Sequence, residues 1–135
     1  MFLNLLNSKE KDNFLKLAVA AIKADGVIEE TEMQTLSTYA NEMQIPVCNT
    51  DDPVDVDAVV SEFALNSTAQ VKRIVLVELL ALAFADGDYS SEEKGLVQQI
   101  ANAFNFNDSL VEHVVDLEKS YMATCVSLVN FVNKE

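Results

Sequence analysis

A short phrase that occurs twice constrains this chain more than any other feature. Residues 24–32 and 85–93 both read Ala-Asp-Gly-x-apolar-x-x-x-Glu, and their aspartates, Asp25 and Asp86, set an offset of 61 residues. Extending the alignment at this offset brings further identities and matched apolar residues into register, at a spacing typical of helices. An internal repeat of this kind predicts two copies of one helix-turn-helix unit.

The periodicity predicts an all-α fold, a single-domain helical bundle of about seven helices, and no strand-like alternation is present. We expect repeat one over about 8–45, an acidic, proline-bearing loop over 46–55, and repeat two over about 67–106. A short helix fills the interval before repeat two, and a C-terminal helical region covers about 107–133. Together these elements form one domain, residues 1–135.

Capping residues predict where the helices begin. The predicted caps are Ser8 for the first helix, Asp55 or Asp57 for the short helix, Ser67 and Ser90 for the helices of repeat two, and Asn107 or Asp108 for the last region. The helix that follows Ser67 is apolar nearly all round, so we expect it to be central and the most buried. The last region either continues to about Val132 or breaks near Ser120.

Composition narrows the class of partner. The net charge is −13, which disfavours nucleic acid and anionic membranes and favours cations or a basic protein partner. The start lacks the basic region of a signal peptide, and the most apolar run, residues 74–85, is too short to span a bilayer. Cys48 and Cys125 form no metal or redox motif. We therefore expect a cytoplasmic protein with reduced thiols.

The repeated phrase resembles the second half of an EF-hand calcium loop. Gly26 matches the turn glycine of such a loop, and Glu32 then falls at the bidentate position. The leading oxygen ligands are missing, because Ala21 and Lys23 stand there in the first copy. Since calcium takes six to eight oxygens, the sequence excludes an EF-hand.

Two interpretations of the repeated carboxylates stay open. Asp25 and Asp86 are predicted at the negative ends of helix dipoles, which is unfavourable and calls for compensation. One possible compensation is hydrogen bonding of the aspartates to backbone amides of the following turn, with the glutamates acting as helix caps. A divalent cation or a basic partner is the other. The candidate metal ligands are Asp25 and Glu32 in the first copy and Asp86, Asp88 and Glu93 in the second.

Other polar residues are less informative. Glu78 interrupts the apolar helix of repeat two, so we expect it to be paired or to lie at an exposed margin. His113 is the only histidine, which favours a surface or capping role. The chain has no nucleophile motif or phosphate loop, so the sequence predicts no catalytic residue and no enzyme.

The doubled turn, ending one apolar helix and opening another, resembles the tellurite-resistance TerB-like family over about residues 9–118. It is also similar to the domain at the front of a membrane-anchored DnaJ-like co-chaperone of bacteria. The resemblance implies an all-helical bacterial domain and a metal site at the matching residues, Asp25, Glu32, Asp86 and Glu93.

These observations give a functional hypothesis with one alternative. The hypothesis is a non-enzymatic stress-response or accessory module that binds a divalent cation, a basic protein partner, or both. The alternative is a metal-free protein interaction domain in which the repeated Asp-Gly turns serve geometry alone.

Overall fold

The computed structural model describes residues 1–24, 28, 30–46, 53–84 and 89–134. A 3-10 turn and six α-helices make up this part of the chain, which contains no strand. Their bounds are η1 Leu3–Leu5, α1 Ser8–Lys23, α2 Glu30–Met43, α3 Val56–Asn66, α4 Ala69–Ala83, α5 Ser91–Ala103 and α6 Asp108–Val132. The predicted all-α class is confirmed, and the predicted count of about seven helices is slightly high.

The repeat predicted from the sequence is present in the positions of the helices. Helices α1 and α4 begin at Ser8 and Ala69, and helices α2 and α5 begin at Glu30 and Ser91. Both pairs of start positions differ by 61 residues, the offset of the repeated phrase. Each repeat is therefore an α-helical hairpin, α1–α2 or α4–α5, with α3 between them.

Two predicted caps are wrong by one residue. Asn7, rather than Ser8, caps α1, since its side chain accepts the amide of Glu10. Thr68, rather than Ser67, caps α4 by accepting the amide of Val71. The Ser67 hydroxyl instead donates to the Glu10 carboxylate at 2.6 Å, so this serine joins the two helix starts and caps neither.

The remaining caps agree with the sequence. Asp55 caps α3, Ser90 caps α5, and Asn107 caps α6. Helix α6 runs without a break from Asp108 to Val132, which decides between the two predicted forms of the C-terminal region. The predicted loop at 46–55 lies largely outside the described residues.

The two hairpins also end alike. Gln44 and Asn105, again 61 residues apart, are the two described non-glycine residues with positive φ, at 59° and 61°. The next amide in each repeat donates back to an alanine carbonyl, from Ile45 to Ala40 and from Phe106 to Ala101. This is the Schellman arrangement, in which a left-handed residue closes the helix.

Helices α1 and α4 form the interior of the bundle. Helix α4 packs against α1, α5, α6 and η1, and α1 packs against α2, α3 and α4. Phe14 and Leu17 of α1 and Leu80 of α4 are fully buried. The prediction that α4 is central is thus confirmed, but α4 shares this position with α1, the equivalent helix of repeat one.

Candidate functional site

The structure places two of the predicted metal ligands at equivalent positions. Glu32 is the third residue of α2, and Glu93 is the third residue of α5. Both are buried, at 4 % and 6 % exposure. The aspartates predicted to join them, Asp25, Asp86 and Asp88, lie outside the described residues.

Glu93 takes part in the predicted capping box. The Ser90 hydroxyl accepts the Glu93 amide at 3.1 Å, and Glu93 Oε1 accepts the Ser90 amide at 3.2 Å. The Ser90 hydroxyl also lies 3.0 Å from the same carboxylate oxygen. The prediction of this box is confirmed. In repeat one the equivalent capping position is residue 29, outside the described residues.

The apolar residues of the two turns are less alike than the sequence predicts. The Tyr89 ring packs on Phe84, with centroids 4.9 Å apart, and burial followed by the charge of Glu93 raises the pKa of the Tyr89 hydroxyl. Ile28, its counterpart, is exposed. The two turns therefore differ in how their apolar residue packs.

Metal-ligand geometry is incomplete in the described part of the chain. Within it, no group of three His, Cys, Asp or Glu side chains is close enough to hold a metal ion. Each turn shows one buried carboxylate there, Glu32 or Glu93. A hard cation needs several more oxygen ligands, and the remaining predicted ligands belong to residues 25, 86 and 88.

A second acidic cluster surrounds the first residues of the chain. Glu78 is 3 % exposed, so the expected pairing, and not the exposed margin, is correct. Its partners are main-chain groups of the 3-10 turn region. The Met1 ammonium lies 2.7 Å from Glu42 and 3.4 Å from Glu78, and the Phe2 amide donates to Glu78 at 3.3 Å.

These contacts hold the start of the chain on α2 and α4. The Leu3 amide donates to the second oxygen of Glu42 at 3.0 Å. Burial lowers the pKa of the Met1 ammonium, but hydrogen bonds and charges of Glu42 and Glu78 outweigh it, so the net pKa is raised. The ammonium therefore stays charged and compensates the buried Glu78 carboxylate and the partly exposed Glu42 carboxylate.

Tyr39 and Glu118 complete this cluster. The Tyr39 hydroxyl donates to the main-chain carbonyl of Glu78 at 3.0 Å, and burial raises the hydroxyl's pKa. Glu118 is the buried residue of α6, and burial, followed by the charge of Glu78, raises the pKa of its carboxyl. The sequence analysis missed both Glu42 and Glu118. Glu118 carried a signal, because it interrupts the apolar stripe of α6 that includes Val111 and Val114.

A cleft opens beside this cluster. One cavity of about 310 Å³ is lined by Met1 and Phe2 together with Tyr39, Glu78 and residues of α6. A second cavity of about 360 Å³ follows it along α4. Phe2 and Val77 line both cavities, and the other α4 residues that line them lie on the same face of the helix, at i, i+3 and i+4 spacing. We call the two neighbouring cavities together the α4 groove.

Helix α6 has two unlike halves. Leu110 and Val114 in its first half pack on Leu76, Leu80 and Phe84 of the bundle. The second half, residues 120–132, contains no charged residue and is mostly exposed.

His113 is exposed, as predicted for a surface residue. Despite the apolar character of α6, the described helices include none of the length and apolarity that a bilayer crossing requires.

The sequence model of a family described as tellurite resistance protein TerB matches residues 11–115. No curated protein and no solved structure matches the chain. The match begins in the first turn of α1, includes the rest of both hairpins and α3, and stops before the exposed half of α6. The expected similarity to a DnaJ-like co-chaperone stays a prediction.

Proposed function

Because this chain belongs to the TerB tellurite-resistance family, we propose that it is a non-enzymatic accessory module that binds a divalent cation through its paired turns. One observation carries the proposal. Glu32 and Glu93 occupy the same position in the two repeats, and both carboxylates are buried. A buried carboxylate is unfavourable unless hydrogen bonds and opposite charge compensate it.

A capping box does not by itself require a negative charge. A glutamine at the third helical position closes a capping box as well as a glutamate does. This chain nevertheless carries glutamate in both repeats, and each follows an Asp-Gly pair seven residues earlier. In a chain of net charge −13, this concentration of carboxylates at two equivalent turns attracts cations.

The donor set indicates the class of cation. The two repeated phrases contain carboxylates but no histidine or cysteine. Oxygen ligands of this kind suit Ca²⁺, Mg²⁺ and Mn²⁺ better than softer ions such as Zn²⁺ or Cu²⁺. Glu32 and Glu93, with Asp25, Asp86 and Asp88, are the residues proposed to hold it. The proposed role is binding, and the sequence offers no nucleophile or base motif for catalysis.

Thermal unfolding of metal-stripped protein tests the proposal. We expect a saturable rise in midpoint with Ca²⁺, Mg²⁺ or Mn²⁺ at constant ionic strength, since a ligand at 100 times its Kd stabilises by about 2.7 kcal/mol. Glu32→Gln/Glu93→Gln, which keeps capping oxygens, should abolish the rise. Glu92→Gln is the matched control, because Glu92 neighbours Glu93 but is exposed. An equal rise in all three proteins would overturn the proposal.

A metal-free interaction domain is the second candidate function. The complete capping box at Ser90 and Glu93 favours it, because the box gives Glu93 a structural role without a cation. The partner proposed here is a protein with a basic surface, which the charge of −13 would attract. If cations leave the midpoint unchanged while Ser90→Ala lowers it, the turns are structural and this second function is the better one.

A further inference from the structure

The second half of α6 exposes an unusual amount of apolar surface. Its large apolar side chains, each more than half exposed, are Tyr121, Val126, Leu128, Val129, Phe131 and Val132. No charged residue interrupts them between positions 120 and 132. A contiguous exposed apolar surface on a protein of this size marks a site of interaction.

The α4 groove is a second apolar surface that the bundle leaves open. Beyond the carboxylate cluster its walls are Phe2, Leu5, Gln70, Arg73, Ile74 and Val77. Phe2 and Leu5 are 41 % and 56 % exposed. The groove follows α4 from Gln70 to Ala81, a length of about 17 Å at the rise of a helix.

A chain cannot cover this groove with its own α6. Tyr121 is the last residue of α6 that lines the groove, and the helix continues unbroken to Val132. It contains neither glycine nor proline at which it would bend back. The exposed half of α6 and the far part of the groove therefore stay apart within one molecule.

We propose that the second half of α6 docks in the α4 groove of a second copy of this chain, reciprocally about a two-fold axis. Residues 120–132 form a helix of about 20 Å, which matches the length of the groove. The helix face is uncharged and the groove is mainly apolar, and two-fold pairing covers both surfaces in both molecules at once.

Surface area and charge both support a second copy as the occupant. If the two exposed side chains of the groove and the five of α6 other than Phe131, which lies on the Ser127 face, bury on the order of 70 Å² each, a symmetrical pair buries on the order of 1,000 Å². This is about the smallest area expected of a specific interface. Two molecules of charge −13 repel each other, so they meet most favourably through an uncharged segment. Residues 120–132 are such a segment.

Sedimentation equilibrium of the full chain tests this proposal. We expect a dimer of the 14.9 kDa chain at micromolar concentration, and Val129→Glu should weaken dimerisation at least tenfold. Ser127→Glu is the matched control, since it adds the same charge two residues away, on the nearly opposite face of the helix. Both positions are exposed, so neither change should unfold the monomer.

A second pair of variants tests the groove. Leu5→Glu should weaken the dimer by a similar factor, whereas Leu65→Glu, at an exposed leucine outside the groove, should not. A chain that stays monomeric at 200 µM would overturn the proposal, and so would a dimer weakened by Val129→Glu but not by Leu5→Glu. The measurements are made with chelator present, so that they do not depend on the cation proposed for the turns.

Discussion

The two repeats agree at their ends and differ in charge at one buried position. Their helices start at the same offset, and both hairpins close with a left-handed residue, Gln44 or Asn105. At the middle of the inner helices, however, repeat one has Leu17 and repeat two has Glu78, 61 residues later. Both side chains are buried, at 0 % and 3 % exposure.

This difference shows which part of the molecule needs the carboxylate of Glu78: the surface beside the α4 groove, and not the packing of the repeat. Packing of the inner helix is satisfied by leucine, so the bundle itself does not need a carboxylate there. In repeat two the carboxylate binds the Met1 ammonium and the Phe2 amide, beside the groove lined by Glu118. Glu78 therefore belongs to the surface formed by η1, α4 and α6.

The largest expected effect comes from exchanging these two residues. Leu17→Glu places an unpaired charge in a site of 0 % exposure and should destabilise the fold by at least about 3 kcal/mol. Glu78→Leu should cost only about 1 to 2 kcal/mol, because the Phe2 amide loses its acceptor while the largely exposed Met1 ammonium keeps Glu42 as its partner. Urea unfolding measures both. Equal losses would contradict the distinction between the repeats.

The cap of α5 should give the next largest effect. Ser90→Ala removes the acceptor of the Glu93 amide and should destabilise by about 1 kcal/mol. Glu93→Gln keeps the capping geometry, so in the absence of cation its loss of stability should be less than half of the loss in Ser90→Ala. Denaturant midpoints of the two variants in chelator provide the comparison, and a greater loss in Glu93→Gln would show that the charge itself stabilises the turn.

The two left-handed residues offer a smaller and opposite effect. Gln44→Gly should stabilise the protein by about 0.5 kcal/mol, because glycine adopts a φ of 59° without strain. Asn105→Gly should gain less, since asparagine tolerates this conformation better than glutamine. Thermal midpoints of the two variants test the equivalence of the hairpin ends. A loss of stability in either would contradict the Schellman assignment.

The smallest expected effect is the pH dependence of Glu118. Its folded-state pKa is raised above the ordinary value of 4.5 by burial and by Glu78. The stability linked to the protonated carboxyl is therefore fully present below pH 4.5 and is lost as the pH rises through the folded-state pKa. Glu118→Gln should stabilise at pH 7.5, by less than about 1 kcal/mol, and show no gain at pH 4. Unfolding at both values tests this sign.

The sequence predicted what depends on short-range pattern. The offset between Asp25 and Asp86 gives the repeat, and helical periodicity gives the helices, because both are local properties of the chain. The caps at Asn7 and Thr68 were missed by one residue, since neighbouring polar residues compete for the same role. The sequence did not decide whether the last helical region breaks near Ser120, because a serine can either start a new helix or lie within a long one.

Contacts between residues far apart in the chain could not be predicted from the local sequence pattern. Glu78 was recognised as costly to bury, but its partners, the Met1 ammonium and the Phe2 amide, lie more than 70 residues away in the chain. Glu42 gives no signal in the sequence, since a glutamate near a helix end is ordinary. At the turns the sequence named five ligands, and the structure describes Glu32 and Glu93 among them.

Direct measurement of bound cation tests the central claim, that the equivalent turns of the two repeats hold a cation. Equilibrium dialysis of metal-stripped protein against Ca²⁺, Mg²⁺ and Mn²⁺ should show saturable binding by the native chain. Glu32→Gln and Glu93→Gln should each lower it, and the double variant should show none. Binding by the double variant equal to that of the native chain would contradict the claim.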